Sequence, residues 1–232
     1  MISDKPFNIA IDGPAGAGKS TIAKAVAAKL GFIYVDTGAM YRAMALYFLR
    51  QGTNPNDEAA IEAACGSVEV TIQYQDGVQQ VILNGEDVSG LIRTEEVGNM
   101  ASATSVHLPV RKKLVELQQA LAARTSVIMD GRDIGTCVLP NADLKIYLTA
   151  GSGVRAKRRY QELMEKGVMC NLEEIEQDII ERDYRDMHRE HSPLMQAEDA
   201  VLVDSSCMTV DEVIKTILEA ARSHGCQVQE WK

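Results

Sequence analysis

An apolar run, Phe7-Asn8-Ile9-Ala10-Ile11, leads into Gly13-Pro14-Ala15-Gly16-Ala17-Gly18-Lys19-Ser20, and a helical stretch, Thr21 to Leu30, follows. Strand, glycine-rich turn and helix in that order limit the fold more than any other feature. The loop fits G-x-x-x-x-G-K-[ST] without a mismatch. Gly13, Gly16 and Gly18 let the backbone curl, so that successive N–H groups form a nest for phosphate oxygens at a helix N-terminus. Lys19 then reaches the β- and γ-phosphates, and the Ser20 hydroxyl sits on Mg²⁺. The segment predicts a nucleoside triphosphate ligand and leaves open what receives the phosphate.

The rest of the chain repeats the alternation. A second buried strand, Phe32 to Asp36, precedes a helix from Gly38 to Arg50 with Thr37 as its cap, ended by Gly52 and Asn54-Pro55. A short helix over Asp57 to Ala64 follows. Val68 to Ile72 then alternates, Asp76-Gly77 signals a hairpin turn and Val78 to Leu83 resumes strand residues. Thr94 to Ser105 and Pro109 to Ala123 read as helices, with Pro109 in a first turn. Strands at Val127 to Asp130 and Leu144 to Leu148 flank a long loop, Gly131 to Thr136. Charged helices over Val154 to Lys166 and Asn171 to Arg189, the second with an Asn171 cap, precede a last strand, Ala200 to Asp204, and a helix from Val210 to Ser223. Five apolar strands alternating with helices predict an α/β fold, a doubly wound five-stranded parallel sheet with ligands at the strands' carboxyl ends. The antiparallel hairpin reads as an insertion.

Charge narrows the ligand. A net charge of −9 over 232 residues disfavours a nucleic-acid partner, which needs a broad basic face. Yet Arg155, Arg158, Arg159, Arg182, Arg185 and Arg189 crowd one segment, which suits a small, highly anionic ligand. No apolar stretch has the length of a membrane span, and the N-terminus lacks a basic-then-apolar export signal. The five cysteines are scattered, with no C-x-x-C pair, as in a reducing compartment; His188 and His191 read as solvated residues at a helix end. A soluble, cytoplasmic protein is expected. No Asn-Lys-x-Asp motif or strand ending in paired acids points to a GTPase switch or a mechanical ATPase. Arginines beyond the loop's own lysine instead fit transfer from one phosphate to another, where guanidinium groups offset the repulsion between two anions. An acceptor phosphate is already ionised at pH 7, so positioning and electrostatics supply the catalysis without a strong base.

Ile9 to Ser20, Asp36-Thr37-Gly38-Ala39-Met40-Tyr41-Arg42, Asp87 to Val97 and Asp130-Gly131-Arg132-Asp133-Ile134-Gly135-Thr136 together resemble the bacterial cytidylate kinases. The resemblance runs from residue 7 to about 220. It implies transfer of the γ-phosphoryl group of ATP to CMP or dCMP with Mg²⁺, in a monomer with no membrane contact. It implies a core over 1–62, 108–152 and 193–232, an inserted monophosphate-binding subdomain over 63–107 and helical lid segments over 153–192. Gly13, Pro14, Ala15, Gly16, Ala17, Gly18, Lys19, Ser20 and Thr21 would hold ATP, with Arg158 or Arg159 of the lid beside it. Thr37, Arg42, Ser102, Arg111, Arg132, Asp133, Arg182, Asp186 and Arg189 would hold CMP, with Lys19, Arg132 and Arg189 catalytic. Asp133, Ser102 and Arg111 would read cytosine; a carboxylate acceptor selects its exocyclic amine over the carbonyl of uracil. Arg182 and Asp186 would meet the sugar. Asp36 and Asp130 both end buried strands, and either could orient a Mg²⁺-bound water beside Ser20. Plainer readings stand beside these: Ser102 as packing, Arg111 as part of a solvated helix start, Arg182 paired with Asp178 or Asp186 along its own helix. UMP, AMP or shikimate as acceptor, or a nucleotide-driven switch without one, are the rival functions.

Overall fold

A computed structural model describes residues 5–75 and 78–227. Along the chain lie β1 (Ile9–Asp12), α1 (Lys19–Leu30), β2 (Ile33–Asp36), α2 (Thr37–Gln51), α3 (Glu58–Ser67), β3 (Val70–Gln75), β4 (Val78–Leu83) and β5 (Glu86–Asp87). They are followed by α4 (Glu95–Thr104), α5 (Leu108–Ala122), β6 (Val127–Gly131), β7 (Leu144–Thr149), α6 (Ser152–Glu165), α7 (Leu172–His188), β8 (Val201–Asp204) and α8 (Val210–Ser223). Two sheets form: a five-stranded one in the order β2-β6-β1-β7-β8 and a three-stranded one in the order β3-β4-β5. β1 is central and pairs in parallel with β6 and β7, and β7 pairs in parallel with β8. The chain therefore leaves the centre in both directions, the doubly wound order expected, and the crevice for ligands opens at the carboxyl end of β1.

By packing, the chain divides into two compact units, 1–34 with 126–232, and 35–125. In the first, Ile9, Ile11, Ile128, Ile146 and Leu148 of the sheet are buried with Ile22 and Val26 of α1 and Val213, Ile214 and Ile217 of α8. α8 starts with a reciprocal cap: Glu212 N–H donates to Thr209 Oγ1 at 3.3 Å, and Thr209 N–H donates to the Glu212 carboxylate at 2.8 Å. β1 starts at Ile9 because the residues before it bond to side chains. Phe7 N–H donates to Ser126 Oγ, and Asn8 N–H to the Asp143 carboxylate.

In the second unit α2 packs against α4, α5 and the strands β3 and β4. Its buried side chains include Met40, Ala43, Met44 and Phe48, spaced for one broad helix face. Asp36, not Thr37, caps this helix: Asp36 Oδ1 accepts from Ala39 N–H at 2.9 Å, and Thr37 is the first helical residue. Gly52 ends it in the left-handed conformation at φ 64°, and Thr53 N–H returns to the Phe48 carbonyl at 2.9 Å. The expected hairpin is present as β3 and β4, extended by the short β5; its Asp76-Gly77 turn lies outside the described residues.

The expected loop over 131–136 is more ordered than its sequence suggests. β6 runs through Gly131, and Ile134–Val138 forms one π-helical turn, closed by Val138 N–H to Asp133 O at 3.1 Å and Leu139 N–H to Ile134 O at 2.6 Å. Burial of Ile134 and Val138 holds the turn, and a wide turn at this place is a frequent mark of a functional site. Among the described residues no helix is long and apolar enough to cross a membrane.

Candidate active site

The glycine-rich loop joins the end of β1 to α1 within the first unit. Its first residue cannot carry a side chain: Gly13 has φ +149°, and a Cβ there would lie 1.9 Å from the Leu148 carbonyl oxygen. Gly18, at φ +86°, is the N-cap of α1, so the loop's amides gather at a helix N-terminus. Lys19 lies on the same end with 6% of its surface exposed, and its ammonium donates to Gly13 O at 2.8 Å and Pro14 O at 2.7 Å. Burial pushes its pKa well below the usual lysine value, and the nearby Arg132 pushes it further. A cation held in that state gains most from a polyanion brought beside it. Ala15 O accepts from Arg155 at 2.9 Å, while Ser20 and Thr21 are exposed at the start of α1.

Ser20 Oγ donates to Asp130 Oδ2 at 2.8 Å, and the other oxygen of Asp130 accepts from Tyr34 at 2.8 Å. Of the two acids left open by the sequence, Asp130 is the one placed on Ser20. A hydroxyl and a carboxylate are hard oxygen donors of the kind Mg²⁺ takes, so this pair fits the ion.

Arg132 and Asp133 follow β6 directly. Arg132 Nε donates to Asp186 of α7 at 2.7 Å, and Nη1 makes a long 3.4 Å contact to Gly131 O. Asp133 accepts from Arg189 at 3.2 Å, in a pair whose side chains are 8% and 9% exposed. Arg189 is fixed a second time by Ser192 O at 2.6 Å, from a turn in which Ser192 takes φ 51°. The first unit thus holds two ion pairs, Arg132 with Asp186 and Asp133 with Arg189, together with the loop-bound Lys19. Asp186 engages Arg132, and Arg182 is exposed on α7. On α6, Arg158 donates to Ser205 Oγ and Ser205 O at 3.2 and 2.7 Å, whereas Arg159 pairs along its own helix with Glu162. His188 stacks on Tyr184, and among the described residues no group of three metal-ligating side chains converges there.

The second unit carries a separate cluster. Asp36, at the end of β2, receives Arg42 at 3.4 Å and Arg93 at 3.1 Å on the same oxygen, Oδ2. Arg42 rises from the first turns of α2 over Gly38, where a Cβ would come within 3.4 Å of its Nη1. The turn is pinned from the three-stranded sheet: the Gln79 amide of β4 accepts from Asp36 N–H at 2.8 Å and donates to Asp36 O at 3.4 Å. Thr37 is buried beside this turn. Arg111 is 4% exposed, over the Tyr41 ring at 5.9 Å and 3.4 Å from Ser105 O, which removes the solvated reading of the Arg111-Lys112-Lys113 start. Ser102 is half-buried on α4, and its carbonyl accepts from Ser105 Oγ.

Asp12, Gln79 and Arg93 carry no individual role in the sequence, and Arg155 stands there only as one of a crowd of arginines. Arg155 is buried and joined to Asp183 at 2.7 Å as well as to the loop. Asp12 closes an otherwise apolar strand and Arg93 directly precedes a threonine cap; both positions were legible signals. Nothing in the sequence marks Gln79.

Residues 9–223 match the family model described as cytidylate kinase. The chain is 51% identical over 215 residues to the cytidylate kinase of Caldicellulosiruptor bescii, covering 93% of this chain and 95% of that one. To the cytidylate kinase of Listeria innocua it is 50% identical over 218 residues, covering 94% and 96%. An uncharacterized protein from Eubacterium ventriosum aligns in structure with a TM-score of 0.50 at 12% identity, covering 94% of this chain and 99% of that one, a likeness of fold alone.

Proposed function

The chain belongs to the cytidylate kinase family, and on that premise we propose how its residues pass the γ-phosphoryl group of ATP to CMP or dCMP. The observation that carries the assignment is the first unit's pair of arginine–carboxylate contacts, half-buried Arg132 with Asp186 and enclosed Arg189 with Asp133, in the same unit as buried Lys19. A switch that only hydrolyses nucleotide has no use for such a second array of cations.

Gly13 to Ser20, with Thr21, cradle the triphosphate through backbone amides, and Lys19 follows the β- and γ-phosphates. Mg²⁺, when bound, neutralises charge on the β- and γ-oxygens; Ser20 would hold it and Asp130 would orient its water. The CMP phosphate attacks as an anion, so no residue takes a proton in the transfer step. Arg132, Arg189 and Lys19 supply the charge that lets the two anions meet, and the carboxylates of Asp186 and Asp133 set the arginines' geometry in advance. Asp133 also accepts from the cytosine amine, since a carboxylate has acceptor sites beyond the one Arg189 uses. Uracil would leave that acceptor unpaired, which turns a contact into discrimination. Arg182 and Asp186 meet the sugar. In the second unit Thr37, Arg42, Ser102 and Arg111 serve the monophosphate, and Arg93, sharing Asp36 with Arg42, joins them.

The segments over 153–192 act as a lid that excludes water from the transfer, and the segment 63–107 as the monophosphate-binding insertion. Arg159, half exposed and paired with Glu162, is the lid arginine that turns to ATP, while Arg158 stays on Ser205. The enzyme works as a cytoplasmic monomer on small molecules; five free thiols support a reducing compartment, and a net charge of −9 speaks against a nucleic-acid partner.

The test is a panel of monophosphates with ATP and Mg²⁺, read as ADP released. ADP formed with CMP and dCMP, and almost none with AMP, shikimate or ATP alone, is expected. ADP formed equally without an acceptor would overturn the assignment of the arginine set.

A further inference from the structure

Asp12 has no place in the transfer just described, yet it is among the most enclosed acids of the chain, with 4% of its surface exposed. It is the last residue of β1 and precedes Gly13. Its oxygens accept from Ile134 N–H at 2.8 Å and from Gly135 N–H at 2.7 Å, both within the range of charge-assisted bonds. Those two amides come immediately after Arg132 and Asp133 and open the π-helical turn. The fit is close: a Cβ on Gly135 would stand 3.4 Å from Asp12 Oδ2 and 3.1 Å from Lys145 Cδ. One carboxylate therefore joins the root of the phosphate loop to the root of the segment that bears Arg132 and Asp133.

We propose that Asp12 is a positioning residue, which sets Arg132 and Asp133 in register with the phosphate loop and so links acceptor recognition to the donor side. The inference rests on the roles given to Arg132 and Asp133 above. A merely structural acid would be expected to stabilise the fold at neutral pH, and Asp12 does the reverse. Burial raises its pKa from 3.8 to about 6, against the two amide bonds, with Asp133 raising it further and Lys19 opposing. Lys19, Asp133 and Tyr147 are the titratable groups that face it, with the stem of Lys145 beyond Gly135. Because the folded-state pKa is the higher one, the contribution to stability is full below about 3.8 and is lost as pH rises through about 6. An ionised Asp12 at pH 7 is kept at a cost to folding, which is the pattern of a group retained for what it positions.

Asp12→Asn keeps the shape, turns an amide NH2 donor to one of the two N–H groups and removes the charge. It is expected to lower kcat/KM for CMP on the order of tenfold to a hundredfold, with the KM for ATP held within about twofold. It should also narrow the preference for CMP over UMP without lowering Tm at pH 7. Unchanged kinetics, or activity lost only in proportion to folded protein, overturns the proposal. Arg132→Ala separates the two layers of argument. Full activity in that variant removes the role of Arg132 and the proposal with it, whereas loss there beside wild-type behaviour of Asp12→Asn removes the coupling alone. Should Asp12→Asn fail to fold, the wild-type protein answers by NMR: the Ile134 and Gly135 amides and Arg132 Nε–H should shift together in one step near pH 6. An Arg132 signal that ignores that step sinks the idea.

Discussion

The two arginine clusters are built on opposite plans. In the first unit each arginine has its own carboxylate, Arg132 with Asp186 and Arg189 with Asp133, and the second pair is almost fully enclosed. In the second unit Arg42 and Arg93 share one oxygen of Asp36, and the Arg93 side chain is 61% exposed. A pair in which each arginine has its own carboxylate is ordered before any substrate arrives, and its geometry is available at the moment charge develops. Two arginines sharing one acceptor hold a net positive charge that draws an anion, and the exposed member, Arg93, is screened by solvent. The first plan suits groups that act in the transition state and the second suits groups that collect the substrate. Substitutions should therefore divide between kcat in one unit and KM in the other.

The largest effect is expected at Lys19. Lys19→Met should lower kcat on the order of 10³-fold, since it removes a cation from the transferring phosphate itself. Next is Arg189→Ala, for which a loss in kcat on the order of 10²-fold, with the KM for ATP changed by less than about threefold, is expected. Steady-state ADP release with each substrate varied in turn measures both. Equal shifts in kcat and ATP KM at Arg189 would erase the contrast between locked and open clusters.

A smaller effect of another kind is expected in the second unit. Arg42→Ala should raise the KM for CMP about tenfold and leave kcat within about threefold, the mark of binding common to ground and transition states. Arg93→Ala should do the same more weakly, because a largely exposed guanidinium contributes little beyond screening distance. Raising the salt concentration should reproduce part of both effects in the unaltered enzyme, and salt-independent CMP binding would break the comparison.

The same contrast explains what the sequence disclosed. The phosphate loop was legible because its constraint is on the backbone: Gly13 admits no side chain, and residues 13–20 are contiguous. The parallel sheet was legible because strands buried on both faces read as unbroken apolar runs. The turn at 134–138 was not, since Gly135 and Thr136 interrupt the spacing of Ile134 and Val138 that closes it. The ion pairs were legible only as a crowd of arginines. Partners 54 and 56 residues apart, Arg132 with Asp186 and Asp133 with Arg189, are chosen by tertiary packing alone. Arg111 shows the limit from the other side: beside Lys112 and Lys113 it looks solvated, and only the packing of α5 over Tyr41 reveals it as buried.

The smallest effect tests whether the locked cluster depends on its own ion pairs or merely on a stable unit. α8 lies behind the sheet on α1, and its start rests on the reciprocal cap between Thr209 and Glu212. Thr209→Ala removes the hydroxyl that accepts from Glu212 N–H, at a cost of about 1 kcal/mol. For a chain of this size that lowers Tm by roughly 2–4 °C. Thr209 takes no part in the proposed transfer, so kcat and both KM values should stay within error at 25 °C while Tm falls. That outcome would assign the preorganisation of Arg132 and Arg189 to Asp186 and Asp133 themselves. A fall in kcat comparable to that of a direct substitution would instead make the geometry of the arginines a property of the whole unit's packing, and the distinction between the two plans would collapse.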